Sequence, residues 1–318
     1  MTRVAAIDCG TNSIRLLVAD LPEAEGSDDR TGQLVDVVRR MEIVRLGQGV
    51  DRTGRLATEA IERTRVALAG YAEQLGRLRV DRLRMVATSA TRDAANAAEF
   101  TAMVEQTLGV APEVVSGQEE ARLSFAGAVR GLPTSARSPY LVVDIGGGST
   151  EFVVGETAMA RAISVDIGCV RMTERHLHDD PPTLEQLRAA EADITAAVDS
   201  ALAVVDGREA ATLIGLAGSV TTVAALALGL TAYEPLRIHH ARVSYADVAK
   251  VTGELLAMTR AQRLALPVMH PGRADVIGAG ALILRTVMAR CSADAVVASE
   301  HDILDGIAWS LAAAGHCI

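Results

Sequence analysis

The spacing of apolar residues along the chain predicts strands and helices in alternation. Residues 57–78 repeat apolar positions at nearly the 3.6-residue period of a helix, whereas the apolar runs at 33–47 and 82–90 are typical of strands. "PEVVSG" predicts a further short strand. Helices are predicted up to about residue 108, over 117–130 and after "DPPT", where Pro and Thr stand at a helix start. This order predicts an α/β protein whose mixed sheets are flanked by helices.

Two segments of the chain repeat one pattern. "AAIDCGTNSIRLLVAD" (5–20) and "LVVDIGGGSTEFVVGE" (141–156) each hold an apolar strand that ends in Asp, a glycine-containing turn and a second strand. The aligned positions are Asp8 with Asp144, Gly10 with Gly146, Ser13 with Ser149, and Arg15 with Glu151. One such hairpin is a common turn, but two at domain-sized spacing predict a duplicated fold with two facing loops.

The length of the chain supports this duplication, because 318 residues fit two domains of about 150 residues each. The stretch "LPTSARSP" (132–139) has the Pro and Ser content of a linker. We therefore expect one domain over residues 1–130 and a second domain over residues 131–318.

Composition narrows the class of protein. The net charge of −9 argues against a general nucleic-acid-binding surface, and Lys250 is the only lysine, so the basic groups available to an anion are nearly all arginine. The four cysteines form no CxxC pair, which argues against a zinc site or a disulfide framework. Asp8 interrupts the first apolar run too early for a signal peptide, and "VIGAGALIL" is too short to span a membrane. We expect a soluble, cytoplasmic protein without membrane or nucleic-acid partners.

The two repeated turns are candidate phosphate-binding loops. Successive N–H groups in a glycine-rich turn form a concave anion site, and glycine lets a phosphate approach the main chain closely. Carboxylates beside such a turn supply the oxygen ligands that Mg²⁺ prefers. The candidate phosphate ligands are Gly10, Thr11, Asn12, Ser13, Gly146, Gly147, Gly148 and Ser149, and the candidate metal ligands are Asp8, Asp144 and Glu151. The alternative interpretation is two tight turns with solvated caps.

A candidate general base lies in "SGQEEARLSFAGAV" (116–129). Ser116 and Glu119 have the spacing of a capping box, which gives Glu119 a structural role at the helix start. Glu120 is not used by that cap, and a carboxylate at a helix N-terminus is kept ionised, as a general base requires. The alternative is that Glu120 is one more first-turn acid favoured by the helix dipole.

Two further segments are candidate anion ligands. In "ATSATRDAAN" (87–96), Arg92 follows a strand, where its guanidinium could bind a terminal phosphate through two parallel hydrogen bonds. An ion pair with Asp93 is an equal alternative. In "GLAGSVTTVAAL" (215–226), Gly218 and Ser219 lie at a turn between a strand and a helix and could reach an anion or a sugar. A single glycine turn is weak evidence.

Taken together, these motifs resemble the exopolyphosphatase/guanosine pentaphosphate phosphohydrolase family. The matching segments follow the family order over nearly the whole chain: "DCGTNSIRLLV", "ATSATRDAAN", "SGQEEARLSF", "VVDIGGGSTEFVV", "GCVRMTERH", "GLAGSVTTVAAL" and "HPGRADVIGAGALIL". The resemblance implies two ribonuclease-H-like domains of the actin-like ATPase type with an interdomain cleft. It also implies that Glu120 is the catalytic glutamate, that Arg92 binds the terminal phosphate, and that Asp144 and Glu151 bind the metal.

The resemblance further implies an enzyme that uses Mg²⁺ or Mn²⁺ to hydrolyse the terminal phosphoanhydride of inorganic polyphosphate, and that forms a homodimer. Alternatives are hydrolysis of guanosine pentaphosphate in stringent-response metabolism, a phosphotransferase, or a non-catalytic nucleotide sensor. The chain departs from the family in two respects. The usual Leu-Arg-Glu-Gly reads Ile303-Leu304-Asp305-Gly306, and the C-terminal helical domains of long members are not expected after Ile318. Both departures bear on how long a polymer the protein holds.

Overall fold

The structure, a computed structural model, describes residues 2–22 and 34–313. The chain divides into two units, of which the first contains Met1–Gly131 and Ile303–Ile318 and the second contains Leu132–Asp302. Each unit holds one sheet. In the two described ranges, no helix is both long enough and apolar enough to cross a bilayer.

The sheet of the first unit starts with the first hairpin. Its strands within the described residues are β1 (Arg3–Cys9), β2 (Ser13–Asp20), β3 (Val35–Ile43), β4 (Arg82–Ala87) and β5 (Glu113–Val114). They lie in the order β3-β2-β1-β4-β5, with antiparallel pairing across β1, β2 and β3 and parallel pairing of β4 and β5 with β1. The strand predicted over 33–47 is therefore shorter, and Gln33 lies outside the described residues.

Helices cover both faces of this sheet. They are α1 (Val50–Thr53), α2 (Thr58–Leu78), α3 (Ser89–Arg92), α4 (Ala97–Leu108) and α5 (Gly117–Ala128). In β1, Ala5 and Ile7 belong to one apolar cluster and Val4 and Ala6 to another, because successive side chains of a strand point to opposite faces. Burial on both faces explains why β1 reads as an uninterrupted apolar run.

The second unit repeats this plan. Its strands within the described residues are β6 (Tyr140–Ile145), β7 (Thr150–Gly155), β8 (Met159–Val165), β9 (Thr212–Leu216), β10 (Arg242–Ser244) and β11 (Ala295–Ala298). The sheet order is β8-β7-β6-β9-β11-β10, in which β6, β7 and β8 are antiparallel and β9 and β11 are parallel to β6. The hairpin, the reversal to parallel pairing and the strand order match those of the first unit, with β10 added at the edge.

The helices of the second unit pack on this sheet around a large apolar core. They are α6 (Cys169–His176), α7 (Leu184–Val205), α8 (Ala217–Ala227), α9 (Pro235–Ile238), α10 (Tyr245–Ala257), α11 (Arg260–Leu264) and α12 (Ile277–Arg290). The predicted start of the long helix α7 is confirmed: Thr183 caps it in a reciprocal capping box with Gln186. The prediction of an α/β fold with two mixed sheets flanked by helices is likewise confirmed.

The last helix, α13 (Ile303–Ala313), belongs to the first unit. Its residues Leu304 and Ile307 are buried in the apolar cluster that also contains Leu123 of α5. Arg39 of β3 donates to Asp305 at 2.5 Å. Burial opposes the charge of Arg39, but the charge and hydrogen bonds of Asp305 outweigh it and raise the arginine pKa.

This helix corrects the expected domain division, which placed residues 303–318 in the second domain. The described part of that segment, α13, buries its apolar face in the first unit instead. The correction has a physical cause: helix docking depends on contacts with residues far away in sequence, which local patterns do not reveal. Residues 314–318 lie outside the described residues.

At Gly306, α13 lies close to the backbone of α5. A Cβ there would overlap the carbonyl oxygen of Leu123. We expect Gly306→Ala to lower the free energy of unfolding by about 1–3 kcal/mol, because the overlap must be relieved by moving one helix. The measurement is urea denaturation.

Gly253 provides the matched control, since it also lies inside a helix but, apart from its chain neighbours and the adjacent backbone of that helix, no atom lies within 4 Å of the position that a Cβ would occupy. Gly253→Ala should raise the free energy of unfolding by up to about 1 kcal/mol through helix propensity. Equal effects of the two substitutions would contradict the proposed close packing of α13 on α5.

Candidate active site

The predicted site residues of the first unit gather at one edge of its sheet. The parallel strands β1, β4 and β5 pair through Cys9 with Ala87 and through Ala87 with Val114, so their carboxyl ends lie side by side. The first turn, α3 and α5 each follow one of these strand ends. This edge is where α/β sheets usually bind ligands.

Backbone hydrogen bonds hold the first turn in place. The carbonyl oxygen of Asn12 accepts from the N–H groups of Val44 and Arg45, and that of Thr11 accepts from Gly47. A Cβ at Gly47 would overlap the side chain of Thr11, so glycine is needed for this approach. Within the described residues, the N–H groups of Thr11 and Asn12 have no hydrogen-bond acceptor. The turn therefore directs its acceptors inward and keeps donors available.

A hydrogen bond links this turn to α3. The hydroxyl groups of Thr11 and Ser89 lie 2.9 Å apart, and both residues are buried. The predicted phosphate ligand Thr11 is thus fixed against the short helix that carries Arg92.

Arg92 connects α3 to α5. Its Nη1 donates to Oε2 of Glu120 at 3.0 Å and to the carbonyl oxygen of Val115 at 2.9 Å. Glu120 is 8% exposed, whereas the Arg92 side chain is 26% exposed. Nε and Nη2 of Arg92 have no hydrogen-bond partner in the part of the chain that the structure describes. The two predicted catalytic residues are therefore in direct contact, and the guanidinium keeps donors for a further anion.

The side-chain cap of α5 does not use Glu120, as predicted, but its carboxylate is engaged by Arg92. The neighbouring Glu119 differs from the prediction. Ser116 caps α5 by accepting from the Glu119 N–H, but the Glu119 carboxylate accepts from Arg122 at 2.7 Å and from Arg84 instead of returning to the cap. The hydrogen bond from Arg122 is the largest cause of the lowered pKa of Glu119.

Asp8 is an ion-paired residue. Nη2 of Arg15 donates to its Oδ2 at 2.6 Å, and Nε of the same arginine donates at 3.0 Å. Asp8 and Arg15 are directly opposite each other in the β1–β2 ladder, and Asp8 is 4% exposed. Both hydrogen bonds from the guanidinium engage the same carboxylate oxygen, Oδ2.

The equivalent positions of the second unit carry two acids. Asp144 and Glu151 are directly opposite each other in the β6–β7 ladder, which places both side chains on the same face of the sheet. Both are buried, and Oε1 of Glu151 accepts from the Ser164 hydroxyl at 2.7 Å. Two carboxylates thus lie where the first unit has one acid and one arginine.

The three-glycine turn is held by the start of α6. The carbonyl oxygens of Gly146 and Gly147 accept from N–H groups at Cys169, Val170 and Arg171, and Nε of Arg171 donates to the carbonyl oxygen of Gly148 at 2.7 Å. The N–H groups of Gly147 and Gly148 have no acceptor among the residues described. As in the first turn, the carbonyls are engaged and the donors are not.

Gly218 and Ser219 lie beside this turn but are in contact with other groups. Gly218 is partly exposed, and a Cβ on it would overlap the guanidinium of Arg273, which donates to the Gly218 carbonyl at 3.3 Å. Ser219 is 5% exposed, and its side chain lies against Gly280. Burial raises the pKa of the Cys169 thiol, against the effect of a hydrogen bond with Ser219. The glycine at 218 therefore accommodates an arginine.

Sequence reasoning missed three arginines that contact these loops, namely Arg15, Arg171 and Arg273. Each lies within a segment that matches the family. The signal that could have found them is the rarity of lysine, which makes a loop-proximal arginine the expected partner of acids and carbonyl oxygens.

Comparisons with known proteins show the family of the chain. Residues 27–313 match the Ppx/GppA phosphatase family, and the chain belongs to that family of hydrolases. It is 54% identical to Exopolyphosphatase 2 of Mycobacterium tuberculosis, over 98% of this chain and 99% of that protein.

Solved structures show the same fold. The chain aligns with the crystal structure of an exopolyphosphatase-like protein with a TM-score of 0.91 and 46% identity, and the alignment covers 98% of both chains. It aligns with the crystal structure of the Aquifex aeolicus member of the Ppx/GppA family with a TM-score of 0.81 and 29% identity, and this alignment covers 99% of both chains. The predicted family and fold are confirmed.

Gly168 offers a test of the glycine turn. A Cβ at this position would overlap the main chain of Gly147 and Gly148. We expect Gly168→Ala to displace the turn, to lower the free energy of unfolding by about 1–3 kcal/mol and to reduce phosphate release. Gly70→Ala in α2, where the methyl group would meet open space, should leave activity unchanged. Normal turnover and an unchanged free energy of unfolding in Gly168→Ala would contradict the close packing of Gly168 on the glycine turn.

Proposed function

We propose that this protein is an exopolyphosphatase that hydrolyses the terminal phosphoanhydride of inorganic polyphosphate and releases orthophosphate. The observation that carries the proposal is the shared design of the two repeated turns. In both, the carbonyl oxygens are bonded within their own unit, and N–H groups of consecutive residues are left as donors. Such turns bind phosphate through the main chain. The name of the M. tuberculosis relative supports the choice of polyphosphate.

The first unit supplies the groups for cleavage. Nη1 of Arg92 is engaged by Glu120 and Val115, which leaves Nε and Nη2 to bind two oxygens of the terminal phosphate. The guanidinium offsets the charge that develops on the transferred phosphoryl group. Arg92 also donates to the Glu120 carboxylate. The same arginine therefore binds the terminal phosphate and positions the base, Glu120, relative to that phosphate.

Hydrolysis requires only the polyphosphate and one water molecule as reactants. Glu120 accepts a proton from a water molecule, whose oxygen forms a bond to the terminal phosphorus. The bridging P–O bond on the opposite side breaks, and its electron pair stays on the shortened chain. In-line displacement of this kind requires that water and leaving group lie on opposite sides of the phosphorus.

The second unit supplies the metal ligands in this proposal. Among the described residues, no cluster of three or more His, Cys, Asp or Glu side chains could hold a metal ion. Mg²⁺ commonly needs only one or two carboxylates together with substrate phosphates and water, so the opposed pair Asp144 and Glu151 fits. When bound there, Mg²⁺ or Mn²⁺ would neutralise phosphate charge. We assign Asp8 instead to the ion pair with Arg15, which shapes the first turn.

Guanosine pentaphosphate is the second candidate substrate, because its 5′ end carries the same terminal phosphoanhydride. Aromatic residues are only 3% of the chain, which limits base stacking and favours polyphosphate. Comparing kcat/KM for the two compounds distinguishes them. The homodimer implied by the family resemblance stays a prediction that sedimentation would test.

Glu120→Gln tests the proposed base. Glutamine keeps the size of the side chain but cannot accept the proton, so we expect phosphate release from polyphosphate to fall by about 10²–10⁴-fold while binding persists. Glu119→Gln is the matched control, because its carboxylate is held by Arg122 and Arg84 and has no proposed role in the reaction. Retained turnover in Glu120→Gln would remove this residue from the mechanism.

Glu151→Gln tests the metal assignment. The amide keeps an oxygen that can accept from Ser164 but loses the negative charge, so the Mg²⁺ concentration for half-maximal phosphate release should rise about tenfold or more. Glu156→Gln removes the same charge from an exposed position in the same unit and should not change it. An unchanged Mg²⁺ dependence in Glu151→Gln would exclude this residue as a ligand.

A further inference from the structure

The second unit contains a cavity at the end of its sheet away from the glycine turn. Its volume is about 570 Å³, within the usual range of small-molecule sites. Most lining residues belong to the segments that precede β6, β9 and β11. The candidate active-site loops follow the carboxyl ends of β6 and β9, so the cavity is separate from them.

The charge of the cavity is positive in a chain whose net charge is −9. Its lining includes Arg137, Arg208 and Arg242 but only one acid, Asp294. Among the described residues, Arg137 and Arg242 have no ion-pair partner. Arg208 lies 3.8 Å from Asp199, which already forms two shorter hydrogen bonds with Arg290. The guanidinium groups of Arg137 and Arg242 therefore have no carboxylate partner among the described residues, whereas Arg208 shares Asp199 with Arg290.

One wall of the cavity contains a strained residue. His240 lines it and adopts a φ of 64°, a left-handed conformation that costs a non-glycine residue free energy. Its Nε2 is buried and has no hydrogen-bond partner in the described ranges. Burial lowers the pKa of this histidine, and the electrostatic effect of His301 lowers it further.

We propose that this cavity is a second, non-catalytic anion site that binds a ligand with two or more linked phosphate groups. Guanidinium groups bind phosphate through paired hydrogen bonds, and three of them exceed what a single phosphate requires. The volume also exceeds that of one phosphate ion. The ligand is either a short inorganic phosphate chain or the phosphate end of a nucleotide, since both present the same charged groups.

The test is hydrogen–deuterium exchange of the wild-type protein titrated with two probes that resist hydrolysis. Methylenediphosphonate represents the inorganic ligand, and α,β-methylene adenosine diphosphate represents the nucleotide. We expect slower exchange in the peptides covering 132–138 and 206–213, which contribute to the cavity wall. The probe concentration that gives half of this protection is a dissociation constant specific to the cavity.

Arg137→Ala combined with Arg242→Ala should raise that dissociation constant by about tenfold or more for each lost guanidinium. Arg52→Ala combined with Arg188→Ala removes the same charge from exposed arginines outside the cavity and should leave it unchanged. Thermal melting of both double variants checks that they fold, since neither cavity arginine has an ion pair to lose among the residues that the structure describes.

The outcomes are distinct. Protection by either probe that depends on Arg137 and Arg242 supports the site, and the more effective probe identifies the source of the phosphates. Protection confined to residues 10–13 and 146–149, or an unchanged half-point in the cavity variant, overturns the proposal. Neither result depends on phosphate release, so the test is independent of the proposed hydrolysis.

Discussion

In the proposed mechanism, the chemistry of the first unit depends on the ion pair between Arg92 and Glu120. It joins α3 to α5 through one nitrogen, Nη1, while Nε and Nη2 have no hydrogen-bond partner among the described residues. Thr11 contacts the same short helix through Ser89. The first turn, Arg92 and Glu120 are therefore connected by two hydrogen bonds through a four-residue helix. In the proposal, these are the phosphate-binding turn, the phosphate-binding arginine and the base. A shift of α3 would disturb all three at once.

The duplicated hairpin shows how one backbone plan can serve two purposes. In the first unit, the cross-strand pair of Asp8 and Arg15 forms an ion pair that stabilises the turn. In the second unit, the same register brings Asp144 and Glu151 together and concentrates negative charge beside a glycine turn. Like charges directly opposite each other on adjacent strands are unfavourable. A bound cation would offset that cost.

Much of the fold could be predicted from the sequence because strand and helix periods are local. The repeat of hairpins, the helix over 57–78 and the capped start of α7 all follow from spacing within a short window. The docking of α13 could not be predicted, since it depends on contacts with residues such as Arg39 and Leu123. The site shows the same division. Motifs predicted roles for Glu120 and Arg92, but the contact between these two residues and the contact of Gly218 with Arg273 arise only in three dimensions.

The most direct test of the central claim is a double-mutant cycle on kcat for polyphosphate with Arg92→Ala and Glu120→Gln. If the two residues act as one unit, each single variant loses most of the activity and the double variant loses little more than the worse of them. Losses that multiply in the double variant would show that the residues contribute independently, and would contradict the role assigned to their ion pair.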